Sequence, residues 1–121
     1  MYDGVIILES LRVGASLVGV PLVVRELKRC AVEGTSAEQP SVWSLLEFTV
    51  EDAHAEALAE WLTTALDKPG WYADFHNEEE IFVAFPGRVF RYRRGDEAAR
   101  SEAQAYGREL GIPEQQLDWA A

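Results

Sequence analysis

Arg88, Arg91, Arg93 and Arg94 fall within seven positions at the end of "FHNEEEIFVAFPGRVFRYRRGD", which spans residues 75–96. If "RVFRYRR" is a strand, Phe90 and Tyr92 share one face and Arg91 and Arg93 the other, with Arg88 and Arg94 at the rims of the apolar face. Two guanidinium groups spaced two residues apart project in parallel, a geometry that suits carboxylate or phosphate through forked hydrogen bonds. Tyr92 or Trp71 would supply a stacking surface beside them. That chemistry is an anion site or a surface for an acidic partner. The competing use of the same arginines is cross-strand pairing with Glu78, Glu79 and Glu80.

Acid–base chemistry has few carriers. His54 and His76 are the only imidazoles, and His54 stands near the start of an Ala-rich helix between Asp52 and Glu56, as a surface residue would. His76 follows Asp74 by two positions, so the two share a face if the strand runs that far. They would form an Asp-His couple beside Tyr72, with the imidazole as acid or base and the arginines holding an anionic substrate. Otherwise they are solvated residues at a strand end. "HNEEE" groups imidazole and carboxylates, yet its spacing matches no metal-ligand motif, so neither a metal nor a cofactor is expected. Cys30 and the serines have no nucleophile context, and no dinucleotide or phosphate-loop pattern occurs.

These groups sit in a chain of 121 residues, the size of one domain, spanning residues 1–121. Nearly half the residues are apolar, enough to build a core without disulfides or metal. A formal charge of −10 disfavours nucleic-acid backbone as a partner, because phosphate neutralisation needs a basic surface. The single cysteine cannot form an intrachain disulfide, which fits a reducing cytoplasm. The start "MYDGVIILES" lacks the basic region of a secretory signal. The apolar run from Val13 to Val24 is broken by glycine and proline and is too short to cross a bilayer.

Two helices are predicted. In "DAHAEALAEWLTTALDKPG", Asp52 is placed as N-cap, Leu58, Trp61, Leu62, Ala65 and Leu66 recur at helical spacing, and Pro69-Gly70 end the run. In "DEAARSEAQAYGRELG", Asp96 is placed as cap, Ala99, Ala103, Tyr106 and Leu110 form one stripe, and Gly111 is the stop. Gly107 inside it costs roughly 1 kcal/mol against Ala, which implies a close neighbour. "WYADF" alternates as a strand and "HNEE" reads as a turn. "EIFVAF" is apolar on both faces, as an interior strand or an edge that becomes an interface would be. Pro86-Gly87 is either a turn or a bulge. "SVWSLLEFTVE" is a strand with Val42, Leu46, Phe48 and Val50 on one face. Residues 21–32 fit either helix or strand, and the strand is preferred for its β-branched residues.

The strand, helix, two or three strands, helix order is most of a ferredoxin-like unit. It predicts an α+β fold, ferredoxin-like or a permuted relative: an antiparallel sheet of four to five strands with two helices packed on one face. "WYADF", "FPGRVFRYRRGD" and "GIPEQQLDW" resemble segments of a group of small uncharacterised bacterial proteins, over about residues 43–119. The resemblance implies no activity. Trp43, Leu45 and Phe82 lie opposite the inner apolar face and need cover from the N-terminal segment or from a second copy. Leu117 and Trp119 either dock on their own domain or enter a neighbour. The sequence thus reads as a cytoplasmic binding module, a homodimer, with Arg88, Arg91, Arg93, Arg94, Tyr92 and Trp71 facing an acidic segment or small anionic ligand. The alternative is a small enzyme built on His76 and Asp74.

Overall fold

The computed structural model describes all residues, Met1–Ala121. The chain forms six strands: β1 (Tyr2–Ile7), β2 (Val23–Ala31), β3 (Val42–Val50), β4 (Ala73–His76), β5 (Glu80–Phe85) and β6 (Arg88–Arg93). The helices are α1 (Asp52–Ala65) and α2 (Glu97–Glu109). One sheet of order β2-β3-β1-β4-β5-β6 forms, antiparallel at every pairing. The class is α+β, with six strands where four to five were expected. The N-terminal segment, open from sequence to strand or a short helical turn, is strand over Tyr2–Ile7 and enters the middle of the sheet between β3 and β4. Residues 23–31 are strand, paired along the length of β3 with a bulge between Val24 and Glu26. Pro86-Gly87 is a turn, since Phe85 pairs directly with Arg88 and Gly87 takes φ +81°.

The helices lie on opposite faces, which corrects the one-faced sandwich. Alternate residues of β5 belong to different cores. Phe82 and Ala84 pack with Leu58, Ala59 and Leu62 of α1, while Ile81, Val83 and Phe85 pack with Ala103 of α2 and with Leu117 and Trp119. An interior strand apolar on both sides demands cover on both sides, and two helices on one face would leave half of it wet. The α1 face is closed by an aromatic cluster in which Phe75 and Phe82 stack with centroids 4.8 Å apart and Tyr2 meets both edge-on. Gly4 of β1 makes this possible: a Cβ there would lie 2.6 Å from Phe75 Cβ and 2.8 Å from the Asp74 carbonyl oxygen.

Caps follow the chemistry with one exception. Asp96 accepts from the Ala99 amide at 3.1 Å and caps α2. Asp52 instead is the first helical residue of α1, after Glu51, and its carboxylate accepts from the N-terminal ammonium at 2.6 Å. Gly107 is buried with Leu117 and Phe85 against its Cα, the close neighbours its presence implied. The tail docks on its own chain: Leu117 and Trp119 are buried, and Trp119 Nε1 donates to the Tyr92 hydroxyl at 2.7 Å. No helix is long and apolar enough to cross a membrane.

α2 and the tail cover only part of their face. They lie over β5, β6 and the start of β4. Over β1 and β3 the same face carries Val5, Ile7 and Leu45 with no element above them, and Val5 is exposed.

Candidate functional site

That uncovered half of the sheet is the floor of a cleft of about 420 Å³. Its apolar surface comes from Val5 and Ile7 of β1, Leu45 and Trp43 of β3, Cys30 of the edge strand and Val32 just beyond it. Trp71 and Tyr72, leading into β4, form one side, and Trp43 and Trp71 meet edge-to-face with centroids 5.3 Å apart. Gln115, Gln116 and Asp118 of the C-terminal tail form the wall.

The wall is held by side-chain amides. Gln39 Nε2 donates to the Gly70 carbonyl at 3.0 Å and to Gln116 Oε1 at 3.1 Å, and Gln116 Nε2 donates back to Gln39 Oε1 at 2.8 Å. Gln115 and Gln116 both donate to the Gly34 carbonyl, at 3.0 and 3.2 Å. From below, the Tyr72 hydroxyl donates to the Gln116 carbonyl. From α2, Gln104 donates to the Leu117 carbonyl at 3.0 Å. A short 3-10 turn, Glu114–Gln116, and the residues after it thereby become a fixed rim, because the side chains of Gln115 and Gln116 and the carbonyls of Gln116 and Leu117 are all hydrogen-bonded to other segments.

The charge in the cleft is of one sign. Glu33, Asp74 and Asp118 line it, and no lysine, arginine or histidine does. Asp74 is partly buried between Val5 of β1 and Val83 of β5, and no other side chain hydrogen-bonds its carboxylate. Burial first, and then the neighbouring Asp118, push it up to about 6, against the opposing pull of Arg100. Burial likewise pushes the Tyr72 phenol up, with Asp74 and Asp118 adding to the effect. A carboxyl that titrates near neutrality at the end of an apolar cleft can accept a hydrogen bond, pair with a cation or move a proton.

The residues singled out from sequence are dispersed over the molecule. Arg91 lies on the α1 face over the Phe82 ring, 4.7 Å from its centroid. It donates to Glu56 at 2.5 Å and to Glu80 at 2.8 Å, which raises its own pKa and holds Glu80 below the usual carboxylate range. Arg93 is exposed and pairs across the sheet with Glu80. Arg88 is on the α2 side, over Phe90 and Tyr106, with Glu102 at 3.8 Å. Arg94 donates to the carbonyls of Asn77 and Ala121 at 2.9 and 2.8 Å. Tyr92 is buried against Trp119, so neither it nor Trp71 offers a stacking face to these arginines. The four arginines therefore do not converge.

Asp74 and His76 do share a face of β4, but they look into different depressions. His76 lines a polar one of about 530 Å³ with Met1, Asp3, Asn77, Glu78, Glu79 and Arg94. It stands opposite Asp3 on β1, and its buried Nδ1 has no hydrogen-bond partner. Burial and then Arg94 lower its pKa, with Asp3 opposing them. The turn that follows is an Asx turn, with Asn77 Oδ1 accepting from the amides of Glu79 and Glu80 at 2.8 Å each. No three His, Cys, Asp or Glu side chains come together as a metal-ligand set.

Sequence reasoning found Asp74 and Trp71 but not their setting. The signal was present in the outward apolar residues of β1 and β3, which required cover and receive only part of it. Comparison with protein-family models, curated proteins and solved structures gives no significant match.

Proposed function

We propose that the chain is a binding module whose ligand site is the cleft over β1 and β3, not the arginine strand. One observation carries this reading: an open apolar cleft, walled by a fixed tail, ends on a carboxylate that no other side chain hydrogen-bonds. Clefts of this size and lining suit small, largely apolar molecules oriented by one or two polar contacts. The arginines argue less for a ligand, because Arg91 is already engaged by two glutamates.

The test is a thermal-shift screen of small aromatic and aliphatic compounds on the wild type and on Cys30→Trp, which adds an indole to the cleft from the edge strand. A ligand at about 100 times its Kd stabilises by about 2.7 kcal/mol. At about 2.1 cal/mol/K per residue this raises Tm by about 10 °C for 121 residues. Shifts that vanish in Cys30→Trp support the cleft; shifts that persist there, or none for any compound, count against it.

Self-association belongs to the same reading, supported by Val23, Val24 and Leu27 left exposed along the edge strand β2. Sedimentation equilibrium of the wild type and Leu27→Lys tests it, with a monomeric wild type as the opposing result. The unpaired Cys30 supports a reducing cytoplasm as the setting. Kinship with the small uncharacterised bacterial proteins rests on the three segments quoted above. The β3-α1-β4 unit straddling β1 supports a distant, permuted ferredoxin-like relation in that half of the fold. An enzymatic reading would place the proton-moving group at Asp74 in the cleft, with His76 apart from it.

A further inference from the structure

We infer that the cleft takes a primary amine in its ammonium form, with an aromatic or aliphatic body lying on the Trp43–Trp71 side and the ammonium at Asp74. The inference rests on the cleft being the binding site and adds the charge and donor character of the ligand. Complementarity is the first ground. Glu33, Asp74 and Asp118 line the cleft with no basic side chain among them, so the lining repels an anionic ligand and attracts a cation.

Hydrogen bonding is the second ground. The Asp74 carboxylate receives no side-chain donor and looks into the cleft. Arg100, the one cation that acts on it, stands over the Trp119 ring with its Cζ 5.5 Å from the centroid and makes no ion pair with Asp74 or Asp118. An ionised carboxylate here therefore has no donor beyond its own backbone amide, fewer than normally accompany burial, and a primary ammonium supplies three. The third ground is the paired indoles, which give the apolar body of the amine an aromatic surface to lie on.

The probes are 2-phenylethylamine, the neutral 2-phenylethanol and the anionic 3-phenylpropanoate, titrated at pH 7.5 and followed by amide chemical shifts of the whole chain. The amine should bind about ten- to a hundredfold more tightly than the alcohol, as a charge-assisted hydrogen bond predicts, and the carboxylate more weakly than either. Asp74→Asn should abolish the amine's advantage over the alcohol, and its spectrum reports whether it is folded. If the alcohol or the carboxylate binds as well as the amine, or Asp74→Asn leaves the amine's advantage intact, the ammonium inference fails while the cleft stands. If no probe shifts the resonances of Val5, Cys30, Leu45 or Trp71, the cleft reading fails with it.

Discussion

Asp74→Asn should make the protein more stable, and by an amount that depends on pH. Burial and Asp118 raise the Asp74 carboxyl from 3.8 to about 6 in the folded chain, so folding favours its protonated form. The native state then binds more protons than the unfolded chain between these two values, and stability falls as pH rises through that window. Above pH 6 the whole cost is present; below 3.8 it is gone. At 1.36 kcal/mol per pH unit the cost at pH 7.5 is up to about 3 kcal/mol, less whatever water in the cleft screens. By pH 5 it is roughly half that. Asn is close in shape and carries no charge, so it removes the cost, and its amide can donate to Asp118. The groups that face Asp74 are Asp118 from the tail, Arg100 from α2, and Tyr72 and Tyr92 from β4's lead-in and β6. All are retained in the variant. Urea unfolding of wild type and variant at pH 7.5 and pH 5.0 gives the difference directly. A gain of about 2–3 kcal/mol that shrinks at the lower pH is expected. A variant no more stable than wild type at pH 7.5, or a gain equal at both pH values, would refute the reasoning. A group that costs stability where it is ionised is also what a binding site shows when its donor comes from the ligand.

Gly4→Ala should cost about 2–3 kcal/mol, against the usual small benefit of replacing glycine, because the new methyl meets backbone and Phe75 Cβ at once; urea midpoints check it. Trp119→Phe should lose about 1–2 kcal/mol through the missing donor to Tyr92, and Trp119→Ala about 3–5 kcal/mol through lost packing as well; a Trp119→Phe variant as stable as wild type would show that the hydrogen bond carries nothing. Gln39→Ala should destabilise by about 1–2 kcal/mol and speed hydrogen exchange in residues 114–118, since it removes the side chain that ties Gln116 of the rim to the Gly70 carbonyl. Arg91→Gln should change stability by no more than about 1 kcal/mol, because both of its ion pairs are screened by solvent; a loss of several kcal/mol would give the arginine a larger role than the structure assigns.

The sequence by itself determined the elements. Period-two alternation marked "SVWSLLEFTVE" and "WYADF" as strands, a short run apolar on both faces marked "EIFVAF", and Asp96, Gly107 and Gly111 fixed where α2 starts, packs and stops. These are local properties: backbone geometry decides which side chains share a face and which residues satisfy a helix end. Asp52 was misread as a cap because a carboxylate in the first turn is favourable either as a cap or as the first helical residue.

The tertiary structure alone decided which apolar faces were covered, and by what. "EIFVAF" said that both faces of β5 had to be buried but not that α1 would take one and α2 the other. The outer residues Trp43 and Leu45 of β3 said that cover was needed, and only the path of the tail left them, with Val5 and Ile7 of β1, lining a cleft. The arginines were legible as a parallel pair from strand spacing, yet their partners came from α1, α2 and the C-terminus, elements remote in sequence. Asp74 shows the difference most clearly. Its position on the strand followed from alternation, whereas its displaced titration needed Val83 beside it on one side and Asp118 brought close by the docked tail. Long-range electrostatics and burial depend on where distant segments meet, and no local pattern encodes that meeting.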